Sequence, residues 1–171
     1  MTMTAPWPFD GLKHNHYGAI LADPPWGFQC RDGKAERVPS RAKRMPYDVM
    51  SMEDLAALPV ADLAAPDCGL FCWVVWPTLP EAIDLISQWG FAYKTCGFAW
   101  TKADVSSLNL FDAPIDAAVG MGYWTRSNSE VALLATRGSS KRLGGGVRQG
   151  IIEPRREHSR KPAGSTGMMQ V

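Results

Sequence analysis

The run Leu70–Trp76 (LFCWVVW) constrains this chain more than any other stretch. No polar residue interrupts it, so it has no face to offer water. That is the pattern of a strand buried on both sides within a sheet. It is too short to span a bilayer as a helix. A strand of this kind needs elements to cover it, and the flanking sequence supplies them. Thr78-Leu79-Pro80-Glu81 reads as a capping box with proline in the first turn, where a missing N–H costs nothing. Leu79, Ala82, Ile83, Leu85, Ile86 and Trp89 then recur at helical spacing, and Gly90 stops the helix. Ser51-Met52-Glu53-Asp54 is a second capping box, with Asp in place of Glu or Gln, opening a short helix that ends near Leu58 before Pro59. Tyr17 to Ala22, residues 91–102 (FAYKTCGFAWTK) and residues 130–138 (EVALLATRG) read as further strands. Strands alternating with helices argue for an α/β layer fold with a mostly parallel sheet, in which ligands bind outside the carboxyl ends of the strands. The length of 171 residues suits one domain, and there is no internal repeat.

The formal net charge of +1 gives no global field for recruiting a polyanion, but the charge is unevenly spread. Residues 31–44 hold six basic residues against two acidic ones, and residues 137–161 hold eight against two. Such blocks serve either as nucleic-acid contacts or as solvated loops, and charge alone does not choose. Residues 27–47 read as a long basic loop, 103–119 as another, and 138–150 as a Gly-rich basic segment. The cysteines, Cys30, Cys68, Cys72 and Cys96, lack a zinc spacing and read as reduced, mostly buried thiols. His14 and His16 form a lone H-x-H in a lead-in, so no metal is expected. The N-terminus has no basic start followed by an apolar stretch. A cytoplasmic protein without a membrane segment is the expectation.

Chemistry concentrates in Leu21–Gln29 (LADPPWGFQ), just past the first strand. Asp23 offers an acceptor-only carboxylate. Pro24 and Pro25 have fixed φ and no N–H, so the backbone presents carbonyl acceptors on a stiff frame. Trp26 offers a flat π surface. Together these suit a planar base bearing an NH₂ group: carboxylate and carbonyl accept its two hydrogens, and the indole stacks on the ring. A sheet-to-loop turn, with Asp as a cap and Trp as core, uses the same residues without any ligand.

LADPPW resembles the signature of the MTA-70-like adenine methyltransferases, which use S-adenosyl-L-methionine to methylate the exocyclic N6 amine of adenine. YDVMSMEDLAALPV, LFCWVVWPTLPEAIDLISQWGFAYKTCGFAWTK, GMGYWTRSNSEVALLATRG and EPRREHSRKP follow in the family's order and spacing. The resemblance covers about residues 17–162. It implies an α/β, Rossmann-like methyltransferase sheet with helices on both faces. It implies that Asp23 and the Pro24 carbonyl hold the target amine, with Pro25 completing the motif and Trp26 flanking the base. Tyr123, Trp124, Arg126, Asn128, Glu130 and Ser159 fall at positions lining the substrate pocket. Asp23 and Lys161 fall at positions near the cofactor. The basic loops 27–47 and 138–150 correspond to those bordering the substrate cleft. Bacterial and phage members resemble the chain more closely than eukaryotic ones, which favours DNA over RNA as the partner. A second methyltransferase-like subunit is a further partner the family suggests.

After SRKP the family continues with acidic residues, an amphipathic helix and a strand resembling E-L-F-A-R, whereas this chain reads AGSTGMMQV. The expected organisation is a lead-in over 1–16, a methyltransferase domain over 17–162 lacking the last helix and strand, and an atypical tail over 163–171. Two functions follow from different classes. One is an adenine-N6 methyltransferase; the other is a catalytically inactive, truncated nucleic-acid-binding module or gene remnant of the same family.

Overall fold

The computed structural model describes residues 7–27, 48–103, 124–156 and 160–162. Among the described residues the strands are β1 (Tyr17–Ala22), β2 (Ala64–Val74), β3 (Ala92–Ala103), β4 (Ser129–Arg137) and β5 (Gly150–Pro154). Helix α1 (Met52–Ala57) follows β1, and helix α2 (Leu79–Gln88) joins β2 to β3. The strands form one sheet in the order β1-β2-β4-β3-β5.

The sheet is mixed, which corrects the expectation of a mostly parallel one. β1 pairs with β2 in parallel and β3 with β5 in parallel, while β4 runs antiparallel to both β2 and β3. The apolar strands carry no mark of direction, because a strand covered on both faces looks alike in either orientation. The chain leaves β3 and re-enters β4 at the same end of the sheet, so β4 is reversed. β5 is absent from the sequence reading: with five residues, Ile151 buried and Ile152 exposed, its alternation is too brief to stand out from the Gly-rich stretch before it.

Side chains alternate between two apolar layers, as period-2 geometry requires. Leu70, Cys72 and Val74 of β2 join Val131, Leu133 and Ala135 of β4 beneath Leu55 of α1 and Ala82, Leu85 and Ile86 of α2. Phe71 and Trp73 meet Phe98, Trp100, Ala132 and Ile151 on the opposite face. Both described α-helices thus cover the same face. Helices were expected on both faces; among the described residues none covers the second.

The two capping boxes behave differently. Ser51 caps α1 as expected, its Oγ accepting from the Asp54 N–H at 3.1 Å. Thr78 makes no side-chain cap for α2. It lies in a 3-10 turn (Trp76–Thr78), and its hydroxyl donates instead to the Val75 carbonyl at 3.0 Å. Gly90 ends α2 with φ 80°, and the N–H groups of Gly90 and Phe91 bond to the carbonyls of Ser87 and Ile86. This is the Schellman arrangement that glycine favours. Cys68, Cys72 and Cys96 are free thiols; burial first, and then the nearby Asp23 charge, push the Cys72 thiol up to about 12. No described helix is long and apolar enough to cross a membrane.

Candidate active site

The carboxyl ends of β1, β2, β3 and β5 and the start of β4 all meet at one rim. Register makes this concrete: Ala22 lies beside Cys72, Val74 beside Val131, and Trp100 beside Glu130, while Lys102 lies opposite Glu153. Just past β1, Trp26 bridges Met50 and the Met50 N–H donates to the Pro25 carbonyl at 3.1 Å.

Four charged side chains cross this rim in alternation. Asp23 follows β1, Glu130 is on β4 and Lys102 is near the end of β3. Lys161 arrives from the C-terminal side and bridges the gap over β2. Its Nζ lies 3.1 Å from Asp23 Oδ1 and 3.0 Å from Glu130 Oε2. Lys102 Nζ takes the other Glu130 oxygen at 2.5 Å. Each ammonium also rests over an indole: Lys161 is 5.6 Å from the Trp73 ring centre and Lys102 5.2 Å from that of Trp100. Both lie within cation–π range. The two indoles meet edge to face at 6.4 Å.

The electrostatics differ at each carboxylate. Burial raises the Asp23 carboxyl above its ordinary value; Lys161 opposes this and Glu130 adds to it. Even so, 41 % of the Asp23 side-chain surface is open, so the group is held and still accessible. Burial would raise Glu130 too, but Lys161 and Lys102 together outweigh it and bring the group below the ordinary glutamate value. For Lys161, burial favours the neutral amine, yet Glu130 and Asp23 prevail and raise it.

Of the residues expected in the site, Asp23, Glu130 and Lys161 are brought into direct contact. Pro24 is buried and Pro25 half-buried behind Asp23. The Pro24 carbonyl accepts the Trp26 N–H at 2.8 Å, a three-residue turn that fixes its direction. Trp26 itself departs from the expected stacking surface. It is only 5 % exposed, and its indole N–H donates to the Trp73 carbonyl at 2.9 Å. It works as a strut that ties the motif to β2, because the two-proline turn directs it inward under the rim. Asn128 is half-buried, its carbonyl accepting the Lys102 N–H at 2.9 Å, and Arg126 is exposed. Trp124 is 92 % exposed. Tyr123 and Ser159 lie outside the described residues, as do loop residues 28–47 and the tail 163–171.

Two residues at the rim escaped the sequence reading. Lys102 ends an apolar strand pattern and resembles a solvated terminus. Trp76 closes the apolar run and reads as core, yet it is 47 % exposed, its indole N–H fixed to Ser129 Oγ at 2.9 Å. A charged residue on the same face as a buried indole was the available signal for Lys102; nothing in the local sequence marked Trp76.

A mixed α/β sheet with its polar groups gathered at the carboxyl rim is consistent with a Rossmann-like methyltransferase. The MT-A70 family model matches residues 17–170, a span that takes in most of the segment after Pro162. The Type II methyltransferase M.MunI of Mycoplasma sp is 30 % identical over 168 residues, an alignment covering 90 % of this chain and 66 % of that protein. This chain belongs to the MT-A70 family of methyltransferases. It spans just under two thirds of the length of the curated relative it matches.

Proposed function

We propose that the chain transfers a methyl group from S-adenosyl-L-methionine to the exocyclic N6 amine of adenine in nucleic acid, with DNA preferred to RNA. One observation carries the reading. Asp23 stands at the sheet's carboxyl rim with an accessible carboxylate, on a frame stiffened by Pro24 and Pro25 and anchored by Lys161.

The groups present suit the cofactor. Asp23 is an acceptor for an amino group, and Lys161 is a cation able to pair with a carboxylate. Beneath Lys161, the indole N–H of Trp73 is buried with no acceptor among the described residues. A bound polar group would complete such a donor. When bound, the cofactor supplies the electrophilic methyl group. The rest falls to the chain.

An adenine amine is a poor nucleophile because its lone pair is delocalised into the ring. Asp23 accepts one of its hydrogens. The Pro24 carbonyl, with one lone pair engaged by Trp26, has a second for the other. Two acceptors drawing on the N–H bonds favour a pyramidal nitrogen whose lone pair is free for in-line attack. As positive charge develops on nitrogen, the Asp23 carboxylate stabilises it, and fixed positioning lowers the barrier further. The indoles of Trp76 and Trp124 offer exposed flat surfaces for bases. Basic residues within 31–44 and 137–161 supply phosphate contacts. DNA is favoured by the likeness to bacterial and phage members. The relative's name, a type II methyltransferase, accords with a bacterial modification enzyme.

The test is transfer of labelled methyl to matched single-stranded DNA, duplex DNA and RNA, followed by digestion to nucleosides. N6-methyldeoxyadenosine is the expected product. Label on RNA alone would replace DNA as the substrate, and label on another atom would overturn the adenine-N6 reading.

A further inference from the structure

We propose that Lys102 is a positioning residue that governs, through Glu130 and Lys161, how firmly Asp23 is held. The functional meaning of this proposal rests on the reading of Asp23 given above; its electrostatic content stands apart from it. Lys102 is well placed to act at a distance. Its backbone N–H is tied to the Asn128 carbonyl at 2.9 Å, and its ammonium lies over the Trp100 ring, so the side chain is braced at both ends. Its Nζ occupies Glu130 Oε1, leaving only Oε2 for Lys161.

That division of the two oxygens has a consequence for Lys161. With one Glu130 oxygen available, Lys161 is held from one side and its remaining donors turn to Asp23 at 3.1 Å. Without the Lys102 charge, Glu130 would present both oxygens and a full unbalanced charge to Lys161. The ammonium would move toward Glu130 and away from Asp23, and Asp23 would lose much of the partner that opposes its desolvation. The other charged groups nearby do not substitute. Glu153 lies opposite Lys102 on β5 and is paired with Arg156 at 3.5 Å. Cys72, beside β1, stays a neutral thiol, its value near 12.

The discriminating experiment follows the side-chain carboxyl carbons of Asp23 and Glu130 by ¹³C NMR titration in the full chain, in the wild type, Lys102→Met and Lys102→Arg. A merely structural lysine would shift its direct partner, Glu130, and leave Asp23 alone. The proposal expects Asp23 to titrate about half a pH unit or more higher in Lys102→Met, and to return close to the wild type in Lys102→Arg. Lys102→Gln, which keeps a polar head, carries the same expectation if Lys102→Met does not fold. An unmoved Asp23 beside a shifted Glu130 would overturn the proposal. In the transfer assay, the acid limb of kcat should move upward with Asp23 while KM for the oligonucleotide stays within about threefold. If the wild-type chain transfers no methyl group, the activity reading fails, and the NMR titration still decides the role of Lys102.

Discussion

At the scale of single residues, the rim sets two carboxylates against each other. Glu130 is lowered because two ammonium groups overcome its burial. Its stabilising contribution is therefore present above the ordinary glutamate value of ~4.3 and fades as pH falls through the lower folded value. Lys161 is raised, so its contribution is present below the ordinary lysine value of ~10.4 and is lost as pH rises through the folded value. Asp23 has the opposite sign to Glu130. Its folded value is raised, so the folded state binds its proton more tightly, and stability is lost as pH rises from ~3.9 through the folded value. Glu130→Gln should lower stability at neutral pH by roughly 1–3 kcal/mol, since it leaves two ammonium groups with one partner fewer. Asp23→Asn should stay within ~1 kcal/mol of the wild type, because solvent screens the open side of its pair with Lys161. Urea unfolding across pH 3–8 reads both; a larger loss for Asp23→Asn than for Glu130→Gln would contradict this balance.

At the scale of elements, similar sequence signals led to different structures. Ser51 caps α1, so Ser51→Ala should cost about 1 kcal/mol in urea unfolding. Thr78 sits in the better-looking box, but the 3-10 turn after β2 uses its hydroxyl before the helix can. A cap depends on the backbone angle at which the chain enters the helix, and four residues of sequence do not encode that angle. At the other end of the sheet, Gly138 closes β4 with φ 64°, and a Cβ there would fall 2.3 Å from both the Pro66 carbonyl and Asp67 Oδ1. Gly138→Ala should therefore destabilise more than Ser51→Ala, combining a left-handed φ with a backbone clash. Equal losses for the two variants would show that this corner yields more readily than its geometry implies. The strand positions of β2 and β4 were legible because their apolar runs bury on both faces, and those of β1 and β3 because apolar residues cluster there, although β1 is only partly covered and β3 begins exposed. Their directions were not, since the same pattern serves a parallel or a reversed strand, and β5 was too short to register.

At the scale of the whole molecule, the sheet brings residues more than a hundred positions apart to one edge. Asp23 was legible because its chemistry is local: an acid and two prolines at a strand end already restrict what can sit there. Glu130 and Lys161 were identified through ordered motifs, while their shared contact depends on β4 running opposite to β2 and on the chain returning after β5. Lys102 and Trp76 belong to the site only through the register of neighbouring strands, which a single sequence does not display. The inward turn of Trp26 has the same origin, since its partner is the carbonyl of Trp73 on β2. Asp23 is the point where all of these contacts converge on the proposed reaction. The most direct test compares wild type and Asp23→Asn for labelled methyl transfer to an adenine-containing oligonucleotide, with unfolding curves and oligonucleotide binding measured on the same samples. Transfer by the wild type, reduced at least ~100-fold in Asp23→Asn with folding and nucleic-acid binding retained, is the predicted result. Equal transfer by the two proteins, or none by a folded wild type that binds cofactor, would contradict it.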